Sequence, residues 1–108
     1  MTVKCLAEKA GLIPLIMPNG DREVNGVYCG DLLSWVMGRA QSDNAWITIM
    51  QNVNVIAVAS LSDVSCVVLA EGTKLDADAQ EAAIQKDINV LVSERSSYET
   101  AVLFGKLL

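Results

Sequence analysis

The stretch from Val24 to Met37 constrains this chain more than any other. A β-prone run ends at Gly30, and an apolar pattern at helical spacing begins at Leu32, with Asp31 between them. Asp31 reads as a helix N-cap for a helix reaching about Arg39. A strand that passes directly into a helix sets its carboxyl end beside free backbone N–H groups, which is the edge of a small pocket. The same device recurs along the chain, so the sheet it implies is mostly parallel.

Taken in order, Thr2 caps a short helix from Val3 to Ala10 that Gly11 ends. Leu12 to Met17 is a short strand; Pro14 cannot donate to a ladder, which makes this strand start late or lie at an edge. Val24 to Tyr28 is the second strand, and Ala45 to Met50 the third. Asn52 to Leu61 fits either a strand, by its β-branched residues, or a buried helix capped by Asn52 or Asn54. The helix is preferred because its neighbours then become parallel strands of a β-α-β unit. Ser65 to Leu69 lacks polar residues after its start, as a strand buried on both faces does. Asp76 caps a helix to about Lys86, Asn89 to Val92 is the last strand, and Ser96 with Glu99 forms a capping box. The final helix, Ser97 towards Leu107, is expected to bury Ala101 and Val102, with Phe104 and Leu108 as further candidates. The expected fold is one three-layer α/β/α domain over residues 1–108, with about five strands.

Composition narrows the function. The 108 residues carry a net charge of −5, and the eight Lys and Arg form no cluster, which argues against nucleic acid as partner. Without histidine, His-based acid–base chemistry and His metal ligation are excluded. Cys5, Cys29 and Cys66 form no CxxC, so zinc and iron–sulfur readings are weak. No apolar run reaches the ~18–20 residues of a membrane span, and the N-terminus lacks signal-peptide regions. The expectation is a cytoplasmic protein with an apolar content, 52%, that favours a buried self-interface.

Several segments together resemble the DRTGG domain family, and in particular its small stand-alone members. They are Gly26 to Ser34, Trp46 to Ile49, Asn54 to Ala59, Cys66 to Leu69, the Ala-rich helix and Ser96 to Ala101. The likeness runs from about Ala7 onward. It implies a fold similar to the N-terminal domain of HPr kinase/phosphorylase. It also implies a regulatory and dimer-forming role, as where the domain accompanies CBS domains in regulated pyrophosphatases. Kinase activity is not implied, because no GxxxxGK[ST] phosphate loop is present. In the loop that bears the family's Asp-Arg-Thr-Gly-Gly signature, this chain reads Met50-Gln51-Asn52-Val53-Asn54. Two amides stand where the family has an acid and a base.

Ligands of such sheets bind beyond the carboxyl ends of the strands. The candidates are Gly30 and Asp31; Gln51, Asn52 and Asn54; and Arg95, Ser96 and Ser97. Asp31 could bind a ligand group or simply cap, and Gly30 could admit a ligand or only turn the chain. The three amides could pair with a base through matched donors and acceptors, or cap and turn. Arg95 with two hydroxyls at a helix start could take a phosphate or carboxylate, or form a capping box with a solvated Arg. Cys29, beside a helix start, raises the alternative of a reactive thiol. Nothing resembles a nucleophile with its base.

The reading is therefore a non-enzymatic regulatory domain, homodimeric, without cofactor, binding a small anionic ligand such as a nucleotide. The alternatives are a ligand-free interaction subunit of a larger metabolic or redox enzyme assembly and, third, a redox sensor through Cys29.

Overall fold

The computed structural model describes residues 1–108. Five helices and five strands alternate as α1 (Val3–Ala10), β1 (Ile13–Ile16), β2 (Gly26–Cys29), α2 (Leu33–Arg39), β3 (Asn44–Thr48), α3 (Val53–Ser62), β4 (Cys66–Leu69), α4 (Ala77–Gln85), β5 (Val90–Val92) and α5 (Ser97–Leu107). The strands form one sheet in the order β1-β5-β4-β3-β2. β2, β3, β4 and β5 run parallel, and β1 joins the edge antiparallel to β5 with a register shift between Pro14 and Ile16. Pro14 thus sits at the sheet edge, as its missing N–H requires.

The order explains the layers. From β2 to β5 each strand is laid beside the last in one direction, and right-handed crossovers then place α2, α3 and α4 on one face. There Val36, Trp46, Val55, Ile56, Val67, Leu69, Ala79 and Ala83 form one core. On the other face α1 and α5 pack Val3, Leu6, Ala45, Ile47, Val68, Leu91 and Phe104 into a second. The central strands β3 and β4 feed both cores, which is why Cys66–Leu69 is buried throughout.

Asn52 to Leu61 is helical. The Asn52 side chain accepts from the Asn54 N–H at 2.9 Å, and the C-terminal Asp63 takes a left-handed φ of 56°. Thr2 and Gly11 cap α1 as the sequence indicates, and Ser96 accepts from Glu99 N at 3.1 Å while its hydroxyl meets the Glu99 carboxylate.

Other expectations are corrected. Asp31 does not cap α2: the N-cap position is Leu32, which has no side chain able to do it, and the Asp31 carboxylate turns to β3 instead. Asp76 holds the N-cap position of α4 but makes no capping bond; the chain there is anchored by Asp76 N donating to the Gln51 carbonyl. α5 buries Thr100 and Phe104, while Val102 and Leu108 are exposed and Ala101 is half-buried. The apolar spacing of α2 reads as a core face, yet only Val36 is buried. Val24 lies outside β2 but is buried, its N–H bonded to Met1 O.

An ionic clamp holds the opposite, amino end of the sheet. Arg22 donates to Asp43 Oδ1 at 2.9 Å and to Asp63 Oδ1 at 2.8 Å, and Ser42 Oγ donates to Asp63 Oδ2 at 2.6 Å. The bonds from Ser42 and Arg22 hold the Asp63 carboxyl below the usual carboxylate range. A depressed folded-state pKa contributes stability that is complete above the ordinary value of about 3.9 and is lost as pH falls through the lower one. In acid titrations followed by circular dichroism, Arg22→Met should therefore lose its stability difference from wild type as pH drops below that window. A difference that persists unchanged to low pH would contradict the clamp.

Candidate functional site

The carboxyl ends of the strands carry three separate arrangements. At β2 and β3 the turn after Cys29 is latched to its neighbour. Gly30 N donates to Ile47 O, Trp46 Nε1 donates to Gly30 O at 2.9 Å, and Asp31 Oδ1 accepts from Thr48 Oγ1 at 2.8 Å and from Ile49 N at 3.0 Å. A Cβ on Gly30 would lie 3.0 Å from the Tyr28 ring, so glycine lets the turn pass over it. Asp31 therefore serves the backbone of β3 rather than a helix or an open pocket.

At β3 and α3, Asn52 is a cap, Gln51 offers its carbonyl to Asp76 N, and Asn54 is exposed on the first turn of α3. The amide pair has no cavity in front of it. None of the four cavities is lined by Gly30, Asp31, Gln51, Asn52 or Asn54. The sequence reading joins these residues with Arg95, Ser96 and Ser97 around a shared pocket. The sheet order instead sets β2 and β5 apart, with β3 and β4 between them, and no such pocket is present.

The third arrangement, at β5, β4 and β1, is concave. A cleft of about 520 Å³ is lined by Gly11, Ile13, Glu94, Arg95 and Glu99. A second, of about 320 Å³ and more apolar, is lined by Ile13, Leu15, Lys74, Leu75 and Val92, among others, with Glu94 shared. Ile13 and Glu94 belong to both, so the two form one trough along edge strand β1. Arg95 stands in its first part, with Nη1 donating to Ala10 O at 3.0 Å. Lys74 stands in the second. Ile13, Leu15, Leu75 and Val92 give that second part its apolar lining, and Ile13 continues into the first.

Buried polar groups fix the backbone on either side of Arg95. Ser93 Oγ and Thr100 Oγ1 share a hydrogen bond of 2.8 Å, Thr100 Oγ1 donates to Ser96 O, and Arg95 N donates to Ser93 Oγ. The β4 loop is tied in as well, with Glu71 N donating to Arg95 O and Gly72 N to Ser93 O. Glu71 and Gly72 both have positive φ, 62° and 63°, which turns the chain back beneath Thr73 and Lys74. Ser96 and Glu99 cap α5 between themselves, so of the three residues predicted at that helix start Arg95 alone lines the cleft. Lys74 and the β1 residues escape sequence reading, because β1 reaches β5 only through an antiparallel pairing remote in sequence.

Neither Cys29 nor Cys66 is built for reactivity. Burial pushes Cys66 up to about 12. Cys29 is exposed at its strand end, but partial desolvation of the sulfur, and then the Asp31 carboxylate, also raise its pKa. The lowered Cys29 pKa expected beside a helix start is not found, because desolvation of the sulfur first, and the nearby Asp31 carboxylate second, both disfavour the thiolate. Since the thiolate is the nucleophile, a disulfide reagent near neutral pH should label Cys29 more slowly than a free model thiol. Cys66 should remain unlabelled until denaturant is added. Rapid labelling of Cys29 in native protein would reverse this.

No family model matches this chain, and no curated protein matches it. Among solved structures it is similar to the crystal structure of the CBS and DRTGG domains of the regulatory region of Clostridium perfringens pyrophosphatase, complexed with the activator diadenosine tetraphosphate. The TM-score is 0.74 at 12% sequence identity, over 94% of this chain and 45% of the other. The chain thus spans less than half the length of that neighbour, and the likeness is one of fold.

Proposed function

We propose that this chain is a regulatory domain of the DRTGG type, without catalytic activity, that senses a small anionic ligand of the nucleotide class and works as a homodimer. The observation that carries the reading is the fold shared, over 94% of the chain, with a regulatory region crystallised with a dinucleotide activator. The trough along β1 supports it chemically. A nucleotide has a flat apolar part and an anionic part; Ile13, Leu15, Leu75 and Val92 suit the first, and Lys74 with Arg95 suits the second. The ligand is assigned to this trough rather than to Gly30, Asp31, Gln51, Asn52 and Asn54, whose polar groups already serve the backbone or face no cavity. Ser96 and Ser97 contribute the helix start behind Arg95. Glu94 and Glu99 put negative charge on the rim, which keeps affinity for an anion modest. Regulation then follows as population shift: the ligand favours one arrangement of the domain and its partner.

Thermal shift with a nucleotide panel that includes diadenosine tetraphosphate tests this. A binder at about a hundred times its Kd adds about 2.7 kcal/mol, a midpoint rise of roughly 10 °C for a domain this size. Lys74→Glu should abolish the rise, and Glu94→Gln should enlarge it. No response to any nucleotide would contradict the ligand reading and favour the ligand-free interaction subunit.

A further inference from the structure

We infer that the exposed face formed by α2 and α3 is where two copies of this chain meet, an inference that rests on the homodimer reading above and names its surface. Between Asp31 and Asp63 the only charged residues are Arg39 and Asp43. Asp43 is held by Arg22 at the amino end of the sheet. The outer face of the two helices therefore carries no carboxylate in a chain of net charge −5.

That face is apolar. Leu32 is 60% exposed, Trp35 53%, Met37 53% and Leu61 75%, with Val53 also exposed. α3 has no charged residue at all, yet it buries only the side bearing Val55, Ile56, Val58 and Ala59. On its open side the exposed Val53 and Leu61 stand with Asn54 and Ser60, and large apolar side chains on a helix are ordinarily covered. At the centre of the outer face of α2, opposite the buried Val36, lie Ser34 and Gly38, both exposed. Nothing lies within 4 Å of a Cβ placed on Gly38, and its φ is not one that requires glycine. Glycine costs helix stability relative to alanine, and within one copy no neighbour uses the space. A second helix crossing over Ser34 and Gly38, with Trp35 and Met37 on either side, would use it.

Charge selects the occupant. Two molecules of −5 repel, and this is the face on which they can approach without opposing carboxylates. Its one cation, Arg39, lies over the Trp35 ring of the same copy at 3.9 Å. No charge on this face calls for an opposite charge on a different partner. A patch without carboxylates, its one guanidinium already stacked on Trp35, can meet its twin about a two-fold axis.

Sedimentation velocity across the micromolar range tests the assignment. Wild type should sediment as a dimer in reversible equilibrium. Trp35→Glu and Leu61→Glu should each weaken association at least about tenfold, whereas Tyr98→Glu, on the exposed face of α5, should leave it unchanged. Gly38→Leu guards against misfolding: the single copy has open space for the side chain, so circular dichroism and melting should be preserved while the dimer weakens. Face variants that stay as dimeric as wild type would overturn the α2–α3 assignment and leave the dimer reading standing. A wild type monomeric at every concentration would overturn both. The nucleotide response of the monomeric variants, read by thermal shift, reports on ligand sensing separately.

Discussion

Replacing Trp46 by alanine is expected to lower the stability of the domain by about 3–5 kcal/mol, the range for deleting a large aromatic side chain from a core. Trp46 is fully buried on β3 between Tyr28 and Val67 in register. It packs in the core beneath α2 and α3, and its Nε1 donates to Gly30 O at 2.9 Å. The substitution removes the packing, opens a cavity and frees the carbonyl that fixes the β2 turn. Against a total of about 5–15 kcal/mol for a domain of ordinary stability, the loss is large. Urea unfolding followed by circular dichroism measures it. Trp46→Phe, which keeps most of the volume but not the N–H, should fall between. A loss below about 1.5 kcal/mol for the alanine variant would place Trp46 outside a tightly packed site.

The second large effect is expected at Asn89, which is 2% exposed and fully used. Its Nδ2 donates to Asn19 O at 2.7 Å and to Ser65 O at 2.9 Å, and its Oδ1 accepts from Asn19 N at 2.9 Å. One side chain thereby joins the turn before β2 to the starts of β4 and β5. Asn89→Leu breaks three bonds and strands the buried Ser65 carbonyl. At about 1 kcal/mol per bond, with the desolvation of unpaired partners added, the cost is about 3–4 kcal/mol. The same urea titration reads it. A variant within a few tenths of wild type would mean that water replaces the amide without loss.

These two residues illustrate what could be read in the chain and what could not. The strand–helix alternation was legible because each element carries its own signal. Ala-Trp-Ile-Thr marks β3 and Cys-Val-Val-Leu marks β4; Asn52, Ser96 and Gly11 mark helix ends by local hydrogen bonds or glycine backbone freedom. Such signals reach no further than about four residues. Asp31 looks the same in sequence whether its carboxylate turns to its own helix or to Thr48 and Ile49, and the structure takes the second course. Asn89 and Asn19 are seventy residues apart, and Arg22 gathers Asp43 and Asp63 from two different loops. No local pattern announces either.

The site was half legible for the same reason. Arg95 follows from its helix start, but the trough it lines needs Ile13 and Leu15, brought by an antiparallel strand from the other end of the chain. Lys74 enters through two positive-φ residues in the β4 loop. α2 misleads differently: apolar spacing marks a face that avoids water, and it does not say whether the same molecule covers it. Leu32, Trp35 and Met37 remain exposed.

The central claim is that the carboxyl ends of β4 and β5, with edge strand β1, hold an anionic ligand of nucleotide type. A titration of isotope-labelled protein with diadenosine tetraphosphate, followed by amide chemical shifts, tests it most directly. The account predicts concentration-dependent shifts grouped at Ile13–Leu15, Gly72–Leu75 and Val92–Arg95, and their loss in Lys74→Glu. Shifts grouped instead around Gly30–Asp31 and Gln51–Asn54, or no shift at millimolar ligand, would contradict it.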